Sequence, residues 1–99
     1  MQPVVQAVRD AVAKERMAVL FLDAGTGSWI LPFFQIKKLH VLPRPRITEA
    51  PVPAGLLQHG QAAGLLVLNV PFSPETGKGW EMYRKFSEPD SALYLWQNP

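Results

Sequence analysis

The chain is 99 residues long, 47% hydrophobic and 18% charged, with a formal net charge of +2 and no cysteine. Such a length holds one domain, 1–99, and one core, while the absence of cysteine excludes disulfides and thiolate chemistry. The mild charge does not by itself call for nucleic acid, no apolar run nears the ~20 residues of a membrane-spanning helix, and Met1–Arg16 lacks the pattern of a secretory signal.

Residues 3–16 read as an amphipathic helix. Val4, Val5, Val8, Ala11 and Val12 recur at three- and four-residue spacing, with Gln6, Arg9, Asp10 and Lys14 opposite. Pro3 suits the first turn, and Asp10 and Lys14 are spaced for a helix pair. Met17–Leu22 is an uninterrupted apolar run, as in a strand buried on both faces. Asp23–Ser28 has turn chemistry, so 29–34 is expected to return as the second arm of a hairpin, with Pro32 marking an edge. From Gln35 the strand continues to Leu42, or a short helix begins at Pro32; the pattern leaves both open.

Four prolines make 43–53 an extended connector. Leu56–Ala63 reads as a short helix ended by Gly60 and Gly64, and Leu65–Val70 as a second all-apolar strand. Ser73-Pro74-Glu75 resembles a helix start, but Gly77 and Gly79 interrupt it and leave Trp80–Phe86 as the expected helix. Ala92–Trp96 is the last strand. The result is an α+β domain: a small, mostly antiparallel sheet of about four strands, an N-terminal helix and one or two short helices. Strands 17–22 and 65–70 are expected at its centre, helices 3–16 and 80–86 on one face, and a second subunit over the other.

The segment Leu20–Ser28, LFLDAGTGS, resembles the first phosphate loop of sugar kinases and other actin-like ATPases. That resemblance implies a metal-organising role for Asp23 and a phosphate cradle of Gly25, Thr26, Gly27 and Ser28. It covers about ten residues of a fold of several hundred, and nothing later resembles the second phosphate loop or the adenosine site. The competing reading, and the preferred one, is a hairpin turn in which the Asp23 carboxylate accepts bonds from the amides of Gly25 or Thr26. Thr76-Gly77-Lys78-Gly79 lacks the glycine and hydroxyl spacing of a Walker A loop and reads as a solvated turn.

Residues 1–50 carry seven Lys/Arg against four Asp/Glu, and residues 51–99 three against four. No acid lies between Asp23 and Glu49, while Lys37, Lys38, His40, Arg44 and Arg46 accumulate there. This run is a candidate anion-binding face, or else a sheet edge guarded by charge. His40 and His59 have no acid at ligand spacing, so no metal, cofactor or catalytic residue is assigned. The bulk of Trp29, Phe33, Phe34 and Trp96 against so little charge points to an interface.

The leading expectation is a small, non-enzymatic cytoplasmic protein that self-associates and binds another macromolecule, with a protein partner favoured over nucleic acid and no membrane. The alternatives are a nucleotide or phosphate binder using 23–28, and a weak polyanion binder using 37–46.

Overall fold

The periodic apolar residues near the N-terminus do form a helix, α1 (Gln2–Lys14), in a computed structural model that describes residues 2–23, 30–44, 55, 57–71 and 79–97. Val4, Val5, Ala7, Val8 and Ala11 are buried beneath it. Asp10 accepts from Gln6 Nε2 at 2.9 Å and pairs with Arg84 at 3.6 Å, so its partners are Gln6 and Arg84 where the spacing suggested Lys14. The last helical bond runs from the Glu15 amide to the Ala11 carbonyl, and Arg16 (φ 55) turns the chain out of the helix in the left-handed region.

The strands are β1 (Met17–Asp23), β2 (His40–Arg44), β3 (Ala62–Val67), β4 (Glu81–Lys85) and β5 (Ala92–Gln97). They form one mixed sheet in the order β2-β1-β3-β5-β4. β1 lies parallel to both β2 and β3, while β3–β5 and β5–β4 are antiparallel. The α+β class stands as expected, with one more strand and with parallel pairing on both sides of β1.

Buried residues lie on both faces of β1 and β3, which is why residues 17–22 and 62–67 carry no polar side chain. Leu20, Leu22, Ala62, Leu66, Leu93 and Leu95 meet α1 on one face; Val19, Phe21, Ala63, Leu65, Val67 and Tyr94 form a second cluster on the other. Trp80 closes on that second face, edge-on to Phe21 with ring centroids 6.3 Å apart. The second face is thus buried within a single chain, and a second subunit is not required to cover it.

Three expected elements differ. The hairpin 17–34 is not formed: β1 has parallel neighbours, and Leu31–Phe34 is a 3-10 turn with Pro32 near its start. Ile30 and Phe34, four apart, both point into the α1-side core, the spacing of one helical face and not of a strand. Residues 80–86 are not a helix but contain β4. The seven residues between Gly79 (φ 90) and the turn at 87–90 are too few to sustain a helix, and β5 offers them an edge to pair with. The segment 56–63 is not a helix either among its described residues. Turns at 57–60 lead into β3, which begins three residues earlier than expected and ends before Leu68.

Candidate functional site

The residues from Phe33 to Arg44 make one outer border of the sheet. After the 3-10 turn, Gln35 (φ −76, ψ 72) adopts an inverse γ-turn, closed by the Ile36 amide donating to the Phe34 carbonyl at 2.8 Å. A β-turn follows at once, closed by the Leu39 amide donating to the Ile36 carbonyl at 3.1 Å. Its two central residues are Lys37 and Lys38, both exposed, and Lys38 has φ 70, a value that a turn of this kind normally gives to glycine or asparagine. The expected strand from Gln35 to Leu42 is therefore shortened: Lys37 and Lys38 form a turn, and the strand begins at His40, which is exposed.

Phe34 is buried and anchors this border to the core, leaving Phe33, 48% exposed, beside the turn. Of Phe33, Phe34 and Trp96, the described members of the four residues expected at an interface, Phe33 is the exposed one. Ile36, Leu39 and Val41 pack partly against the same core, so the two consecutive turns are held from beneath.

Arg44 is the last residue of β2 and lies in register with Asp23, the last residue of β1. The candidate phosphate loop therefore leaves β1 at the carboxyl end of a parallel pair and not from a hairpin, unlike the hairpin loop of the actin-like ATPases. Gly25, Thr26, Gly27, Ser28 and Trp29 lie outside the described residues, as do Arg46 and Thr76–Lys78. Trp96 is half-buried against the second-face cluster, at the far side of the sheet from β2.

Among the described residues neither histidine joins a constellation. His40 starts β2, and His59 is exposed in the turn before β3. Among the described residues there is no group of three His, Asp or Glu side chains placed to hold a metal ion, and no helix is long and apolar enough to cross a membrane.

Two features were not anticipated from sequence. One is the strand β4, whose sequence Glu81-Met82-Tyr83-Arg84-Lys85 has no strict period-two alternation to announce it. The other is the double turn at 34–39, which has no glycine, asparagine or proline after Pro32 to announce it. No protein-family model, curated protein or solved structure matches this chain.

Proposed function

We propose that this is a small, non-enzymatic cytoplasmic binding protein that docks an acidic surface of another protein on the border formed by Phe33, Lys37, Lys38 and His40. One observation carries the reading. A basic, acid-free segment is presented on two consecutive hydrogen-bonded turns at a sheet edge, with an exposed aromatic ring alongside. An edge guarded only against unwanted pairing needs its charges on the strand itself. Here the two lysines precede the strand, and Lys38 holds a strained backbone to be there.

A protein partner fits better than single-stranded nucleic acid. Base stacking wants a succession of open aromatic faces along a basic groove. With Phe34 in the core, Phe33 is the one large aromatic exposed in the described part of this border. Self-association, expected alongside partner binding, has no sheet face to cover, so the reading rests on the edge.

The test is binding to poly-glutamate and to a mixed-sequence single-stranded DNA, each immobilised, across a salt series. Poly-glutamate should be retained at low salt, and retention should fall steeply as salt rises and vanish in Lys37→Ala/Lys38→Ala. Stronger retention on DNA would select the nucleic-acid reading. Retention unaffected by the double substitution would leave those lysines as edge protection. Sedimentation of the same samples reports any self-association.

A further inference from the structure

A cleft of about 420 Å³ opens beside β4, at the opposite edge of the sheet from the basic border. Its lining includes Glu15, Gly79, Glu81, Met82, Tyr83 and Trp96. The volume falls in the ~300–1,000 Å³ range of small-molecule sites. Its chemistry is one-sided, with two carboxylates, an indole, a phenol and a thioether.

No cation lines it. Arg84, the nearest along β4, is engaged by Asp10 at 3.6 Å. The Arg16 guanidinium lies against Gly60, where an added Cβ would come within 2.8 Å of Nη1. Among the described residues neither Glu15 nor Glu81 has an ion-pair partner. Glu15 directly follows α1, so the carbonyl pole of a 13-residue helix reinforces the negative potential on that side.

Gly79 shapes the wall. Its φ of 90 brings the backbone so close to the indole that a Cβ there would lie 2.8 Å from Trp96 Cδ1 and Nε1. The Trp96 ring is therefore held by the chain that leads into β4. Met82, 51% exposed, adds a flexible apolar contact.

We propose that this cleft binds a guanidinium group. A guanidinium presents planar N–H donors that match carboxylates, and it stacks on aromatic faces, which an ammonium does less well. The group could belong to a free alkylguanidine or to an arginine side chain of a peptide, and the experiment separates the two.

The full chain, labelled with ¹⁵N, is titrated while the indole N–H of Trp96 is followed, that signal being assigned by its loss in Trp96→Phe. The probes are agmatine, the peptide acetyl-Gly-Arg-Gly-amide, and the same peptide with citrulline, a neutral isostere, in place of arginine. Both guanidinium probes should give a saturable shift with a midpoint near ~1 mM, the affinity class of one small cation, and the citrulline peptide none. A shift with agmatine alone assigns free small molecules as ligands, a shift with the arginine peptide alone assigns an arginine side chain of a partner, and comparable midpoints assign a site that takes the guanidinium from either source. Glu15→Gln/Glu81→Gln should raise the midpoint about tenfold, the loss expected when charge-assisted bonds become neutral ones. Glu81→Gln alone, on the exposed edge strand, repeats the test if the pair disturbs the amide spectrum. No saturable shift, an equal shift with the citrulline peptide, or a midpoint indifferent to the glutamine substitutions would each overturn the proposal.

Discussion

The sulfur of Met17 fills the space that a side chain at Gly64 would need. The two residues sit on neighbouring parallel strands, and a bulge makes their meeting possible. Register runs Met17 to Ala62, then skips to Val19 against Ala63 and Leu20 against Gly64. Met17 and Leu20 therefore both face α1, and both press on the bare Cα of Gly64, with Leu20 Cδ1 3.1 Å from where its Cβ would stand. Gly64→Ala should then destabilise the fold by about 1–3 kcal/mol, the range for overpacking a close-packed core. Met17→Ala should cost about 2–5 kcal/mol through the cavity it leaves. The double variant should be less destabilised than the sum, by about 1 kcal/mol or more, because the new methyl enters the new cavity. Urea unfolding of the four proteins gives this coupling; additive losses would mean that Met17 can swing aside without cost.

That pair also shows where the sequence was readable and where it was not. The apolar periodicity of α1 and the unbroken apolar runs of β1 and β3 report burial directly, because each depends on solvent exclusion alone. Gly64 looked like punctuation after a helix, since a glycine selected for close approach is identical in sequence to one selected for a turn. The hairpin expectation failed for a similar reason. Turn chemistry at Asp23–Ser28 says that β1 ends there, but not whether the chain returns beside it or crosses over the sheet. Ile30 and Phe34, spaced for one helical face, held the needed signal. At the candidate site the basic residues were legible as a run, whereas the two turns that present them rest on backbone bonds at 34–39 that no residue type encodes.

Ser91, 1% exposed, ties the β4–β5 turn to the end of β3. It donates to the Pro89 carbonyl at 3.1 Å and accepts from the Asn69 amide at 2.9 Å, while its own carbonyl takes the Phe86 amide at 3.0 Å. Ser91→Ala keeps the backbone bond but strips the Asn69 amide of its acceptor. The expected loss is about 0.5–1.5 kcal/mol, the net worth of one hydrogen bond, since Asn69 itself is exposed. Hydrogen exchange at the Asn69 amide should accelerate by more than the global loss predicts. Exchange that merely tracks global stability would mean that the amide stays protected by another acceptor within the fold.

Lys38 separates stability from binding. A non-glycine residue in the left-handed region costs about 1–2 kcal/mol, and glycine recovers this less about 0.5–1 kcal/mol of extra chain entropy. Lys38→Gly should therefore unfold at equal or higher denaturant concentration than the parent, while its retention on poly-glutamate falls. Lys38→Ala should lose the retention without gaining the stability. A loss of stability in Lys38→Gly would indicate that the lysine side chain supports the turn through contacts of its own.

Burial, with a smaller contribution from the Asp90 carboxylate, pushes the Tyr94 phenol above its ordinary value. A raised value in the folded state means that the folded chain keeps its proton where the unfolded chain has lost it. The stability tied to that proton is whole below about pH 10, the unfolded value, and is lost as pH climbs through the folded one. Denaturant midpoints should therefore fall above pH 10, and Tyr94→Phe should flatten that alkaline limb. In Tyr83→Phe, where Tyr94 is the remaining tyrosine, phenolate absorbance of the native protein should rise only above the pH at which a denatured sample titrates. Coincident native and denatured titrations would show that Tyr94 meets water more freely than its 5% exposure allows.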